Sequence, residues 1–233
     1  MSLTFDSFTL AAATADLSEE PDARDAADCV EFRMDFATEP LAALDAYDGE
    51  LPLLVTNRAE WEGGDAPDSG RLEALETAIG YDAVGALDIE LAALEDEGHG
   101  DVTAARDLLK KADDAGVSVV VSTHDFDSTP PEPELLDRLQ RAAEYGDIAK
   151  IAVTARDRSD ALSVLSVTHE LTAAGTPVAT MAMGEAGRHT RAVAPVYGSK
   201  IGYAPVDPER ATAPGQYDLR TLAELVEQLS DTA

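Results

Sequence analysis

Lys150 stands between Ala149 and Ile151 in the apolar run IAKIAVT, in a chain of 233 residues whose only other lysines are Lys110, Lys111 and Lys200. Burying an ammonium in such a run is costly unless it is paired or gives up its proton. A desolvated amine is also the nucleophile that attacks a carbonyl and forms a Schiff base. The plainer alternative is a structural ion pair with a carboxylate such as Glu31 or Glu90. His124, in the stretch STHDF, carries the side chain suited to moving protons near neutral pH. Arg188 and Arg191 are the cations best placed to clamp a carboxylate bidentately. The other histidines carry less: His99 lies in a Glu/Asp/Gly loop and reads as solvated, His169 falls inside a helical pattern, and His189 has no evident task.

Those residues need a frame. Strands are predicted at FTLAAAT from Phe8, CVEFRMD from Cys29, LPLLVTN from Leu51, VGALDIEL from Val84, VSVVVSTHD from Val117, IAKIAVT from Ile148, PVATMAM from Pro177 and SKIGYAP from Ser199. They are near-continuous apolar runs, the pattern of strands covered on both faces. Between them, stretches such as VTAARDLLKKADDA and RSDALSVLSVTHELTAA repeat apolar residues at i, i+3, i+4 and i+7. Ala115-Gly116 and Ala174-Gly175 mark two helix ends. Eight strand–helix units predict a (β/α)8 TIM barrel as one domain over residues 1–233, with an open doubly wound sheet as the alternative.

In a barrel, chemistry sits at the C-terminal ends of the strands. Glu31, Arg33 and Asp35 share one parity on the second strand and are expected to point inward. Asn57, Arg58 and Glu62 follow the third strand, with Gly63-Gly64 permitting a sharp turn. Asp88 and Glu90 end the fourth, and Ser122, Thr123, His124 and Asp125 end the fifth, which places His124 beside Lys150. The loop after the seventh strand brings Arg188, His189 and Arg191, and the loop after the eighth brings Thr212 and Gln216.

Composition narrows the partners. Apolar residues make up 45%, enough for a core, while 46 acids against 17 bases leave a net charge of −29. Nucleic acid and anionic membrane surfaces are excluded as partners, because both are bound by Lys and Arg neutralising phosphates. No apolar run is long enough to span a membrane and the start MSLTFDSF is no leader, so a cytoplasmic protein is expected. Cys29 alone rules out a disulfide framework. Scattered acids with few lysines match the style of halophilic archaea, where salt near 1 M shrinks the Debye length to about 3 Å and screens self-repulsion. Glu31, Asp35, Asp88 and Glu90 could hold Mg²⁺, but Arg33 and Lys150 would compete for them, so no metal and no cofactor are expected. The oligomeric state stays open, a homodimer among the options.

Six motifs in register then carry a resemblance: E-F-R-M-D on the second strand, N-R-x-x-x-E-G-G after the third, S-x-H-D-F on the fifth, A-K-I-A on the sixth, M-G-x-x-G-x-x-[ST]-R after the seventh and A-P-G-Q after the eighth. Together they resemble the type I 3-dehydroquinate dehydratases. The resemblance implies a small-molecule substrate, 3-dehydroquinate, dehydrated to 3-dehydroshikimate in the shikimate pathway of aromatic amino-acid biosynthesis. It implies Lys150 as the Schiff-base lysine, His124 as general base and acid, and Glu62 as the carboxylate tuning that histidine. It implies Arg191 as the carboxylate clamp, Glu31, Arg33 and Arg58 around the ring hydroxyls, and Thr212 and Gln216 on a closing loop. Thr212 and Thr190 stand where the family commonly has serine. The short start leaves little room for an N-terminal hairpin under the barrel. Read without the resemblance, the same residues also allow a Schiff-base aldolase or a silent barrel that binds a carboxylate.

Overall fold

The computed structural model describes residues 3–95, 98–210, 213 and 215–230. Its strands are β1 (Thr9–Thr14), β2 (Cys29–Arg33), β3 (Leu53–Thr56), β4 (Val84–Glu90), β5 (Ser118–Asp125), β6 (Ile148–Thr154), β7 (Val178–Met183) and β8 (Ile201–Pro205). All neighbouring pairs are parallel, in the order β7-β6-β5-β4-β3-β2-β1-β8, giving the expected (β/α)8 barrel. Between β7 and β8 no ladder is formed among the described residues; the Lys200 N–H donates to the Val178 carbonyl at 2.7 Å just below that seam.

The helices are α1 (Glu20–Ala23), α2 (Pro40–Ala46), α3 (Arg71–Ala78), α4 (Leu91–Leu94), α5 (Val102–Ala115), α6 (Glu132–Ala143), α7 (Arg158–Ala173), α8 (Gly184–Gly187), α9 (Thr190–Val193) and α10 (Leu219–Ser230). Local chemistry sets the longer ones. Asp101 caps α5 by accepting from the Thr103 and Ala104 amides, and Gly116, at φ 68°, ends it. Asp157 caps α7 in the same way. The unit after β1 has no long helix: a 3-10 turn, Leu17–Glu19, runs into the single turn of α1, which starts at Glu20-Pro21. After β7 the chain breaks into α8, α9 and a 3-10 turn through Pro195.

Strand parity divides the core. Val30, Phe32, Val55, Leu87, Ile89, Val121, Ile151 and Val153 face the helices in one cluster. Ala11, Cys29, Leu54, Ala86, Val120, Ile148, Ala179 and Ile201 fill the interior in another. Leu3 and Phe5 join that interior cluster, and Ser118 Oγ donates to the Leu3 carbonyl at 2.9 Å. Leu3 and Phe5 thus help close the base, and among the described residues no hairpin precedes β1. Asp35 is a correction to the sequence reading: β2 ends at Arg33, and Asp35 lies in the 3-10 turn Met34–Phe36 rather than at an inward strand position. No helix among the described residues is long and apolar enough to cross a membrane.

Candidate active site

Lys150 occupies an inward position of β6, opposite Ser122 of β5 and Ala179 of β7, and is 5% exposed. Its Nζ donates to Asp88 Oδ2 at 2.9 Å. The other oxygen of Asp88 accepts from Arg58 Nη2 at 2.5 Å and from Ser122 Oγ at 2.7 Å. Burial alone would raise the Asp88 carboxyl, but the charges of Arg58 and Lys150 and the hydrogen bonds from Ser122 and Lys150 hold it well below the usual range. The ion pair anticipated as an alternative role for Lys150 therefore exists, with Asp88 as partner rather than Glu31 or Glu90. Glu90 is spent elsewhere, accepting from Arg71 Nη1 at 2.7 Å and from the Ala59 amide at 3.0 Å.

One strand over, His124 Nδ1 lies 2.8 Å from Glu62 Oε1. Burial, and then the charges of Arg58 and Lys150, push the imidazolium well below its usual range, so the ring is neutral near pH 7. Burial, reinforced by Glu90 and Asp88, pushes Glu62 up to about 8. When Glu62 is ionised it accepts the Nδ1 proton and leaves the Nε2 lone pair free. The glycine pair that follows Glu62 is needed at close quarters. A Cβ on Gly64 would collide with the Arg58 carbonyl, and Gly63, at φ +81°, leaves room for the ring of Phe126. Phe126 stacks on His124, with centroids 5.7 Å apart and planes 8° from parallel.

Arg191 comes from α9 and is buried, yet Nε and Nη2 have no partner and Nη1 reaches only Met181 Sδ at 3.7 Å. Burial without any carboxylate lowers this guanidinium to about 10. A buried cation with idle donors is a costly arrangement that an arriving anion would relieve.

One pocket at the mouth of the barrel gathers Glu31, Arg33, Arg58, Glu62, His124, Lys150, Arg191 and Gln216. Glu31 accepts from Thr56 Oγ1 at 3.0 Å, and Arg33 is held by Asp35 through bonds of 2.9 and 2.6 Å. Arg58 has both terminal nitrogens engaged by the protein, Nη1 with Ser122 and Nη2 with Asp88. Gln216 Oε1 accepts from the Ala213 amide at 3.2 Å. Thr212 lies outside the described residues. Among the described residues no cluster of His, Cys, Asp and Glu is arranged to hold a metal ion; the acids at the strand ends are matched by Arg33, Arg58, Arg71 and Lys150 instead.

Sequence reasoning missed several lining residues: Phe126, Met181, Met183 and Tyr203. Counting inward parity along β7 and β8 would have found the last three. His99, expected to be solvated, stacks on Trp61 at 4.4 Å, while His189 is exposed.

Residues 7–233 match the sequence model of the type I 3-dehydroquinases. The chain is 62% identical over 232 residues to a 3-dehydroquinate dehydratase of the halophilic archaeon Haloarcula marismortui, covering 99% of this chain and 100% of that one. A crystal structure of the 3-dehydroquinate dehydratase of Geobacillus kaustophilus is similar with a TM-score of 0.82 at 28% identity, over 98% of this chain and 93% of that one. A type I 3-dehydroquinate dehydratase from Clostridium difficile, crystallised with covalent modified comenic acid, gives 0.83 at 25% identity, over 97% and 94%.

Proposed function

The chain belongs to the type I 3-dehydroquinase family, and from that premise we propose that it dehydrates 3-dehydroquinate to 3-dehydroshikimate through an imine on Lys150, as a lyase of the shikimate pathway. Lys150 Nζ adds to the C3 ketone, whose oxygen leaves as water, and the product is an iminium. That cation draws electrons from the neighbouring bond, so His124 Nε2 can take a proton from C2 and leave an enamine. The imidazolium so formed returns the proton to the C1 hydroxyl, which departs as a second water, and hydrolysis of the conjugated iminium frees Lys150. Glu62, ionised, holds Nδ1–H and stabilises the imidazolium while it lasts.

The observation that carries this reading is Arg191. Its buried, unpartnered guanidinium shares a pocket with Lys150 and His124, and the substrate carries its carboxylate on C1, the carbon that loses the hydroxyl. A clamp there fixes C1 and C2 against the imidazole. Glu31 and Arg33 serve the ring hydroxyls, with Gln216 on the loop above. Arg58 lines the same pocket, held by Ser122 and Asp88 beside the ring hydroxyls and neighbouring charges.

The test is chemical trapping. Incubation with 3-dehydroquinate and borohydride in molar salt, followed by peptide mass spectrometry, should place a reduced adduct on Lys150 while the ultraviolet absorbance of the conjugated product rises. Product formation with Lys150 unmodified would refute the imine.

A further inference from the structure

Tyr203 has no part in the steps above, yet it sits against the reacting nitrogen. It faces inward from β8, is 4% exposed, and lies opposite Ala11 of β1. Lys150 Nζ is 4.3 Å from its ring centroid. Its hydroxyl is buried with no hydrogen-bond partner. We propose that Tyr203 is a positioning residue for the covalent step, its ring face carrying the positive charge of Lys150 from the ammonium through to the iminium. The inference rests on the imine reading above and extends it to a residue that reading does not use.

The argument is one of charge and hydrogen count. An ammonium and a ketone become an iminium and water. The nitrogen gives up one proton to add its lone pair to C3, and a second as the C=N bond forms and the C–O bond breaks. The C–O π pair moves to oxygen, which takes up two protons and leaves as water. The charge at Nζ is therefore the same at both ends, while its N–H bonds fall from three to one and its geometry changes from tetrahedral to planar. Asp88 serves the ammonium through a directed hydrogen bond from a carboxylate pinned by Arg58 and Ser122. It cannot follow a nitrogen that loses donors and swings toward a ketone. A ring face needs no N–H; it attracts a cation over a broad range of angles, and more strongly where water is excluded. Asp88 thus holds the resting lysine, and Tyr203 serves both states.

A ring series separates this from simple packing. Phenylalanine, 4-fluorophenylalanine and pentafluorophenylalanine are placed at 203, keeping the shape while the face loses negative charge. Tyr203→Phe should keep kcat within about twofold. Along the fluorinated series kcat and the rate of borohydride-trapped adduct should fall together, to roughly tenfold at pentafluorophenylalanine, with KM within about twofold. Melting temperature should stay level across the series, which a packing role alone would also give; the fall in adduct rate is what packing would not give. If the native protein forms no adduct on Lys150, the imine reading fails and this one with it. If it does and the series is flat, only the role of Tyr203 is overturned.

Discussion

The two ends of this barrel are made by the same strands and obey opposite rules. Along β6, Ile148, Lys150 and Ala152 face inward in turn; along β5, Val120, Ser122 and His124; along β4, Ala86, Asp88 and Glu90; along β2, Cys29, Glu31 and Arg33. The first residue of each set fills an apolar base with Leu3 and Phe5. Two residues further on, the interior is a lattice of buried charges, with Arg58 reaching Asp88 at 2.5 Å and Glu90 at 3.2 Å. The base is the ordinary product of hydrophobic burial. At the mouth, burial works against the ionised groups; mutual pairing holds Arg58 and Asp88 in their charged forms, and Arg191, alone among the arginines lining the pocket, has no carboxylate beside it among the described residues. Stability is therefore concentrated below and reactivity above, about one strand-pleat apart.

Substitutions that confuse the two ends test that division. Lys150→Ala should cost most, lowering kcat by on the order of 10⁴-fold or more, since the proposed imine forms on that amine; substrate binding measured by calorimetry should survive if Arg191 is the proposed clamp. Phe5→Ala at the base should do the reverse. It should destabilise the fold by about 3 kcal/mol in denaturant titration, with kcat per folded molecule unchanged. Arg191→Met should mix the two signatures: KM rises by about 10²-fold, while the melting temperature rises too, because a buried cation without a partner has been removed.

The smallest effect is on pH. With Glu62 held at about 8, its carboxyl is protonated at lower pH and offers its proton to Nδ1, leaving the proton of the neutral imidazole on Nε2, where it blocks the base. Above about 8, carboxylate and free Nε2 coexist. The rate constant kcat/KM should thus rise with pH, by up to tenfold per unit, and level off above that value. In Glu62→Gln the limb should vanish from the pH–rate profile.

Much of this was legible in the sequence. β6 runs from Ile148 to Thr154 as its apolar run predicts, and α5 matches its run because Asp101 and Gly116 mark both ends chemically. Period-two spacing correctly turned Glu31 and Arg33 inward. It failed one step later at Asp35, because parity holds only while the strand lasts and β2 gives way to a 3-10 turn. The partner of Lys150 was not legible. Asp88 lies two strands away, and which carboxylate meets the amine depends on the stagger between strands, which no local pattern encodes. The apolar start, Leu3 and Phe5, carried a readable signal that was passed over: two large hydrophobes spaced by two just ahead of β1 had to be buried somewhere. The acidic composition pointed to salt-loving relatives, and the 62% identical dehydratase from Haloarcula marismortui agrees.

The unlaced join between β7 and β8 has a consequence for how the molecule breathes. A small cavity lies along it, lined by Thr180 and Met181 on one side and by Ile201, Gly202 and Tyr203 on the other, with Arg191 at its edge as well as in the central pocket. The guanidinium thus lies beside the join where, among the described residues, no strand ladder forms and the Lys200–Val178 backbone bond and the Thr180 amide bond to Ser199 Oγ make the link. An anion drawn to it would act as a clasp, tying the last two staves together from the inside. Occupancy of the site and tightness of the ring should then be coupled: amide exchange on both staves is expected to slow as ligand arrives.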